Sequence, residues 1–367
     1  MARDEPTGAL KHQPKIRVDK GLLGQIGQHI AEHIPSRRCA VITDATIEPL
    51  FARDVTQNLA AISFQATLIA IPPGEQSKTL AQVGSICDEM VAAGLDRQSF
   101  VIGVGGGVIG DISGFVAAIY HRGIPHVQIP TTLLAMVDSS IGGKTGANTA
   151  AGKNLLGAIH PPLLVLDDVD VLRTLPEREF NQGFAEIIKH GIIADAEMFR
   201  ALSQASPSKF RLTNSVGDTR SLQELIQRNI EIKRTIVAED EMDRTGQRAL
   251  LNFGHTVGHA IERAGEYRQF LHGEAVSLGM VAACQVSVKR TGLRKDEAEA
   301  VTNLLQRFDL PTRLPKDFPR QKIFDALPFD KKFEHGKIRF VVTPKLGTAC
   351  LSSDIIMQDI EEAVAQL

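Results

Sequence analysis

The stretch Phe100-Val101-Ile102-Gly103-Val104-Gly105-Gly106-Gly107-Val108-Ile109-Gly110-Asp111 decides the fold of the first half of the chain. Its first residues form a short apolar run that is typical of a buried strand. The glycines that follow satisfy Gly-x-Gly-x-x-Gly and open an apolar pattern that reaches Ile119, which predicts a helix. Such a turn lets backbone N–H groups approach a pyrophosphate closely, although glycine-rich turns that bind nothing are also common. The stretch therefore predicts a strand, a tight loop and a helix, with nucleotide binding as one interpretation.

The loop departs from the standard Rossmann pattern in one respect. A dinucleotide fingerprint places an acidic residue about twenty residues after the glycines, where it contacts the ribose. Here the first acidic residue after Asp111 is Asp138. Any ribose contact is therefore expected from another strand end, with Asp44 and Glu75 as candidates.

The sequence before this stretch alternates between strand and helix patterns. Residues 1–14 are polar and without a period, so we expect a loose start. Apolar spacing then predicts helices over 22–34 and 80–91 and buried strands over 39–42 and 67–71, and a further short apolar run spans 163–166. This alternation predicts a parallel sheet covered by helices. We place the end of this α/β, Rossmann-like domain at residue 175.

The remainder of the chain, 176–367, is predicted to be a mostly α-helical domain. Apolar periodicity indicates helices over 184–193, 222–237, 249–264, 272–288, 297–308 and 355–364, and a short strand over 337–342. The length of 367 residues also favours two domains over one.

Two lysines lie in predicted glycine-rich loops of the first domain. Gly143-Lys144-Thr145 suggests a P-loop, but the Walker pattern needs glycine where Asp138 stands. Lys144 and Lys153 still make an anion cradle plausible, with solvated loop lysines as the alternative.

Three histidines suggest a metal site in the helical half. His255 and His259 are one turn apart if 248–262 is helical, and His272 opens the next helix. Zinc binds neutral imidazole and leaves one position open in catalytic sites. A packing or hydrogen-bonding pair is the alternative for His255 and His259, since Thr256 rules out the His-Glu-x-x-His signature.

Composition excludes several classes of protein. The chain has 41 basic against 43 acidic residues, so net charge gives no case for nucleic acid or an anionic membrane. Its four cysteines are scattered, which indicates neither a disulfide framework nor a thiolate zinc site. With no apolar run long enough to cross a membrane and no apolar leader, we expect a cytoplasmic protein.

The order of these motifs resembles the sugar phosphate cyclase family, and within it the 3-dehydroquinate synthases of the shikimate pathway. The resemblance rests on the segments 73–78, 105–111, 130–146, 152–154, 183–189, 248–259, 272–276 and 330–332. It implies that Glu186, His255 and His272 hold a divalent metal, which we expect to be zinc, with cobalt as an alternative. His259 then becomes a hydrogen-bonding partner near the substrate.

The resemblance also implies NAD as a catalytic cofactor and a phosphorylated keto acid as substrate. The matching NAD contacts are Asp44, Glu75, Lys78, Gly106, Gly107, Asp111, Thr131, Thr132, Lys144, Lys153 and Thr174. The substrate contacts are Asp138, Lys144, Lys153, Asn154, Lys189, Lys233, Arg248 and Asn252, together with one of Lys331 and Lys332. Arg122 matches a family arginine that reaches the phosphate from a neighbouring subunit, so we expect a homodimer.

The activity implied is the conversion of 3-deoxy-D-arabino-heptulosonate 7-phosphate to 3-dehydroquinate and phosphate. Transient oxidation acidifies a C–H bond, phosphate is eliminated, the hydride is returned, and an aldol closure forms the ring. Three alternatives remain at this point: another sugar phosphate cyclase, a metal-dependent polyol or alcohol dehydrogenase, and a non-catalytic nucleotide-binding regulator.

Overall fold

A computed structural model describes residues 14–149, 152–212, 219–240, 246–327, 333–334 and 337–367. Nearly all of the loose start expected over 1–14 lies outside these residues, as do Lys331 and Lys332. The chain divides into two compact units. The first comprises the described residues within Met1–Leu175 and Leu212–Gln227, and the second those within Pro176–Arg211 and Arg228–Leu367. Within the described ranges, no helix combines the length and apolarity that crossing a membrane requires.

The first unit is built on a six-stranded parallel sheet. Its strands are β1 (Lys15–Asp19), β2 (Arg38–Asp44), β3 (Gln65–Ile71), β4 (Phe100–Gly105), β5 (His126–Pro130) and β8 (Leu164–Asp168), in the spatial order β1-β8-β5-β4-β2-β3. Every residue of β4 is buried, which is why this strand reads as an apolar run instead of an alternating pattern. β5 is equally buried although it contains His126 and Gln128. The predicted parallel sheet is therefore confirmed.

Helices cover the sheet of the first unit. They are α1 (Ile26–Ala31), α2 (Arg53–Ala61), α3 (Leu80–Ala92) and α4 (Gly107–Ile119). The helix predicted over 22–34 is shorter than expected, since Leu22–Gln25 is a 3-10 helix and only α1 is α-helical. One apolar cluster contains Ile109, Ile112 and Val116 of α4, and a second contains Val55 and Leu59 of α2. The sheet therefore lies between two hydrophobic layers.

An antiparallel hairpin carries the two lysines that the sequence placed in loops. Its strands are β6 (Lys144–Thr149) and β7 (Gly152–Ile159), with Lys144 opposite Ile159 and Thr149 opposite Gly152. The loop interpretation was wrong because the glycines of this segment serve close backbone pairing. A Cβ on Gly157 would lie 2.1 Å from the carbonyl oxygen of Thr145.

The second unit is mostly helical, as predicted. Its helices are α5 (Glu177–Ile193), α6 (Ala196–Gln204), α8 (His255–Ala264), α9 (His272–Arg290), α10 (Lys295–Arg307), α11 (Arg320–Ala326) and α12 (Met357–Ala365). The helix α7 (Arg220–Ala238) crosses the division between the units at Gln227. Short antiparallel pairs are formed by β9 (Phe333–Glu334) with β10 (Lys337–Ile338) and by β11 (Phe340–Lys345) with β12 (Thr348–Ser352).

Two predicted elements of the second unit are interrupted. The helix expected over 249–264 begins only at His255, because Gly254 has a φ of 78° and the preceding Arg248–Asn252 is a 3-10 helix. The strand expected over 337–342 is divided between β10 and β11 at Arg339. His255 and His259 nevertheless remain one helical turn apart within α8.

Glycines let α5, α8 and α9 approach one another closely. A Cβ on Gly279 of α9 would lie 1.9 Å from the carbonyl oxygen of Gly254. At the start of α9, a Cβ on Gly273 would lie 2.1 Å from the carbonyl oxygen of Gln182 in α5. Neither helix could pass this closely with any larger residue. These contacts bring the first residue of α9, His272, beside both α5 and the start of α8.

Candidate functional site

In the second unit, Glu186, His255 and His272 form a cluster that we call the ligand triad. Their ligand atoms all lie within 4.8 Å of one another. Oε1 of Glu186 lies 3.4 Å from Nε2 of His255 and 3.7 Å from Nε2 of His272. Glu186 is fully buried on α5 and His255 is 8% exposed, whereas the side chain of His272 is 31% exposed, so the cluster opens to solvent at His272. The structure thus brings together the three residues assigned to the metal.

The donor atoms of the triad fit a divalent metal. Nδ1 of His255 lies 3.1 Å from the carbonyl oxygen of Phe253, to which it donates when protonated, so Nε2 is the nitrogen that faces Glu186. Oε1 of Glu186 is buried and accepts no hydrogen bond within the described structure. Neighbouring ligand atoms on a tetrahedral zinc lie about 3.4 Å apart. The observed separations are too long for good hydrogen bonds and suit atoms that share an ion.

The pKa values of Glu186 and His255 favour the protonation states in which these residues bind a metal. Burial would raise the pKa of Glu186, but the neighbouring Lys189 ammonium group outweighs this effect, and the pKa lies well below its usual value. Burial, together with the charge of Lys189, lowers the pKa of His255 to about 4. At neutral pH, Glu186 is therefore a carboxylate and His255 a neutral imidazole.

His272 has a different environment, because a second buried carboxylate faces it. Nδ1 of His272 lies 3.3 Å from Oε2 of Glu262, which is 4% exposed. Burial lowers the pKa of His272, but Glu262 and Glu186 more than offset this effect and raise it to about 10. A metal bound through Nε2 must therefore displace a proton from this ring.

The sequence interpretation missed Glu262, although a signal for it was present. Glu262 follows His259 by three residues and His255 by seven, which places all three on one face of α8. His259, Glu262 and His272 form a second cluster with ligand atoms within 4.8 Å. Because Glu262 contacts the nitrogen of His272 that faces away from Glu186, it is placed to orient a ligand of the triad.

The other assigned residues of the second unit are buried cations or lie close to the triad. Lys189, one turn after Glu186 on α5, is 1% exposed and forms an ion pair with Oε2 of Glu186. Lys233 on α7 is 6% exposed and Arg248 is 4% exposed. Asn252 ends the 3-10 helix that precedes α8. Cationic side chains are rarely buried unless they have partners, and Lys189 has such a partner in Glu186.

In the first unit, most assigned residues follow the carboxyl ends of the parallel strands. Asp44 ends β2, Glu75 and Lys78 follow β3, Gly106 and Gly107 follow β4, Thr131 and Thr132 follow β5, and Thr174 ends the 3-10 helix after β8. Asp138 lies in the π-helical turn Ala135–Ser139. The carboxyl ends of parallel strands share one edge, which is where α/β sheets bind ligands. These residues therefore follow strand ends that share one edge of the sheet.

The loop after β4 fits a pyrophosphate. Gly106 precedes α4 and Gly107 begins it, so the first amides of the helix are not used by helical hydrogen bonds. A Cβ on Gly106 would come within 3.1 Å of Thr132, and one on Gly107 within 3.1 Å of Ser139. The glycines thus keep open a surface of backbone N–H groups at the positive end of the helix.

A buried lysine joins three segments at this edge of the sheet. Lys78 is 3% exposed, and its Nζ contacts both Oδ2 of Asp111 on α4 and Oδ1 of Asn154 on β7. Burial raises the pKa of Asp111 despite the neighbouring ammonium group. Three residues assigned from sequence to cofactor or substrate are therefore in direct contact.

Lys144 and Arg122 lie apart from Lys78, Asp111 and Asn154. Lys144 begins β6, whereas Lys153 is the second residue of β7 and lies toward the other end of the paired strands, so about 16 Å of strand separates their backbones. Arg122 follows α4, a helix of 13 residues, at about 20 Å from the glycines that begin it. Arg122 therefore lies at the opposite end of α4 from the residues that follow the strands.

Family models of known proteins match both halves of the chain. A family model described as 3-dehydroquinate synthase N-terminal matches residues 68–182, and one described as 3-dehydroquinate synthase C-terminal matches residues 183–333. A 3-dehydroquinate synthase from Desulforamulus reducens is 41% identical over 351 residues, which cover 96% of each chain.

Two solved structures share the fold over nearly the whole chain. ValA, a 2-epi-5-epi-valiolone synthase from Streptomyces hygroscopicus subsp. jinggangensis 5008, has a TM-score of 0.85 at 29% identity over 98% of each chain and was solved with NAD+ and Zn2+ bound. A 2-deoxy-scyllo-inosose synthase in complex with carbaglucose-6-phosphate, NAD+ and Co2+ has a TM-score of 0.84 at 23% identity over 96% of each chain.

Proposed function

The chain belongs to the 3-dehydroquinate synthase family, and from this premise we propose that it converts 3-deoxy-D-arabino-heptulosonate 7-phosphate to 3-dehydroquinate and phosphate. It would be a carbon–oxygen lyase of the shikimate pathway. The observation that carries the proposal is the ligand triad beside the buried Lys189, in a chain whose two halves match the two family models. Identity of 41% to a 3-dehydroquinate synthase, against 29% to a valiolone synthase, favours this substrate over that of a sibling cyclase.

We propose that the chain binds one NAD and one divalent metal, with zinc preferred and cobalt able to replace it. Two solved relatives of this fold contain NAD+ with Zn2+ or Co2+. When bound, NAD accepts and later returns a hydride, and the metal polarises a substrate hydroxyl group. Glu186, His255 and His272 would hold the metal, and the loop at Gly106 and Gly107 would hold the pyrophosphate.

The protein's own residues would bind the substrate by charge and move protons close to it. Lys144, Lys153, Lys189, Lys233 and Arg248 would neutralise the carboxylate and phosphate groups. Asp138, Asn154, Asn252 and His259 would donate or accept hydrogen bonds that fix the orientation of the substrate. The remaining NAD contacts would come from Asp44, Glu75, Lys78, Asp111, Thr131, Thr132 and Thr174, with Lys144 and Lys153 near both ligands.

We further propose that residues 1–175 serve NAD binding and residues 176–367 serve metal and substrate binding, in a cytoplasmic homodimer. Support for the dimer comes from Arg122, which lies at the far end of α4 from the strand-end residues and would serve the site of a second copy. Light scattering at micromolar concentration should give the mass of a dimer. A monomer would count against this part of the proposal.

Chelation tests the metal part of the proposal. Phosphate release should stop after treatment with a chelator and return when zinc or cobalt is added. A rate that is unchanged in metal-free buffer would contradict the assignment of the ligand triad.

A further inference from the structure

Asn148, to which the preceding assignments give no role, connects the hairpin to the loop after β3. Its Nδ2 donates to Oε1 of Glu75 at 2.7 Å, and its Oδ1 accepts from the backbone N–H of Asn154 at 2.9 Å. Its backbone N–H donates to the carbonyl oxygen of Lys78 at 2.7 Å, and Thr79 forms an isolated parallel bridge with it. One residue therefore holds two segments that are more than 70 positions apart in sequence.

These contacts belong to a closed circuit. Glu75 and Lys78 are three residues apart, on one 3-10 turn and its C-terminal cap. From Glu75, hydrogen bonds lead to Asn148 and to the backbone of Asn154, and Oδ1 of Asn154 contacts Nζ of Lys78. Asn154 has a φ of 53°, an unusual backbone conformation for a residue other than glycine. The bond from Asn148 to its N–H therefore holds Asn154 where its side chain reaches Lys78.

The chemistry of the circuit requires an amide side chain at position 148. The side chain must donate to a carboxylate on one side and accept from an N–H on the other, and a neutral amide provides both functions at once. A carboxylate at this position could accept from Asn154 but would repel Glu75. An apolar side chain would leave both partners without this bond.

We propose that Asn148 is a positioning residue that fixes Glu75, Lys78 and Asn154 in the geometry needed for NAD and substrate before either ligand binds. The inference rests on the proposed function, which assigns these three residues to ligand binding. Its consequence is that Asn148 acts on ligand affinity through the circuit without touching either ligand. Fixing binding residues in advance lowers the ordering cost of binding.

The test compares Asn148→Asp and Asn148→Ala in the full-length, metal-loaded protein. Asn148→Asp has nearly the same shape and keeps the acceptor for Asn154, while Asn148→Ala removes both bonds. The NAD dissociation constant would be measured by calorimetry, and backbone hydrogen exchange of residues 152–159 by mass spectrometry. Asn58→Asp is the matched control, since the amide of Asn58 donates only to the carbonyl oxygen of Asp54 within its own helix.

We expect both Asn148 variants to raise the NAD dissociation constant about tenfold or more, because each breaks a hydrogen bond to a charged group. Asn148→Ala should also accelerate exchange over 152–159. Exchange within β4 should stay at wild-type values, which a global loss of stability would not predict. Asn58→Asp should match the wild type in every measurement.

Two results would overturn the inference. If exchange over 152–159 rises while NAD affinity stays within about twofold, Asn148 holds the hairpin but the site does not depend on it. If exchange over 152–159 is unchanged in Asn148→Ala, Asn148 does not hold the hairpin. Should Asn148→Ala fail to fold, NAD affinity of Asn148→Asp decides alone. A wild-type protein that binds no NAD would refute the proposed function first and the inference with it.

Discussion

Oε2 of Glu262 lies 3.3 Å from Nδ1 of His272, and this contact directs Nε2 of the same ring toward Glu186. The pairing of a buried carboxylate with the distal nitrogen of a histidine fixes both the tautomer and the orientation of the ring. In this protein the carboxylate and the histidine come from consecutive helices, α8 and α9. The close packing of these helices at Gly254 and Gly279 therefore helps to set the geometry of the ligand triad.

Replacing Glu262 should weaken metal binding without removing a ligand. We expect Glu262→Gln to lower zinc affinity about tenfold and Glu262→Ala up to about a hundredfold, because the ring of His272 loses its orienting partner. Competition with a chromophoric chelator measures this affinity directly, independently of turnover. Glu266→Gln is the matched control, since Glu266 lies four residues further along the chain, is exposed, and forms an exposed ion pair with Lys322 at 3.6 Å. Equal affinity in Glu262→Ala and the wild type would show that Glu262 does not orient His272.

Removing a ligand of the triad should reduce metal binding more than replacing Glu262 does. His272→Ala leaves two of three protein ligands, so we expect loss of bound metal and a fall in turnover to background. Metal content after dialysis and phosphate release would be measured on the same sample. Turnover by His272→Ala in metal-free buffer would refute the assignment of His272 as a ligand.

Replacing Lys153 should impair the reaction with substrate more than it impairs NAD binding. Lys153→Ala removes a charge-assisted contact, which is worth about 1.5–3 kcal/mol, so we expect kcat/KM to fall about tenfold to a hundredfold. NAD binding should persist and can be followed by calorimetry. Lys295→Ala, at the start of α10, serves as the control. Unchanged kinetics in Lys153→Ala would remove Lys153 from the site.

The unfolding free energy of the protein should depend on pH through Asp359, which lies on α12. Burial would raise the pKa of Asp359, but hydrogen bonds from Arg290 and Lys289 lower it. A folded pKa below the unfolded value of 3.8 stabilises the protein above that value, and the contribution is lost as pH falls through the lower folded pKa. We expect Asp359→Asn to cost about 2 kcal/mol of unfolding free energy at neutral pH.

Urea unfolding at several pH values measures this contribution. The difference between wild type and Asp359→Asn should be constant from about pH 5 to pH 8 and shrink below about pH 4. A difference that does not change in acid would show that the charge of Asp359 is not involved.

The sequence predicted those parts of the fold that depend on local patterns. The apolar run from Phe100 and the glycines after it predicted β4, the loop and the start of α4. The hairpin β6–β7 was not predicted, because its glycines resemble those of a loop and its pairing depends on backbone contacts between distant residues. The break at Gly254 was missed for a similar reason, since neither its left-handed φ of 78° nor the close approach of Met280 on α9 can be read from a local pattern.

The same distinction applies to the site. Assigning Glu186, His255 and His272 required a family resemblance, because their spacing in sequence does not show that α5, α8 and α9 meet. Glu262 had a helical spacing that could have revealed it. Asn148 had no such signal, since its partners Glu75 and Asn154 come together only through the packing of the hairpin.

The most direct test of the account is phosphate release from 3-deoxy-D-arabino-heptulosonate 7-phosphate with catalytic NAD, before and after chelation, with NADH absorbance recorded in parallel. Phosphate release should greatly exceed the NAD supplied, stop on chelation, and proceed without accumulation of NADH, because the hydride is returned in each turnover. Stoichiometric NADH from a polyol, or no phosphate release from this substrate, would contradict the account.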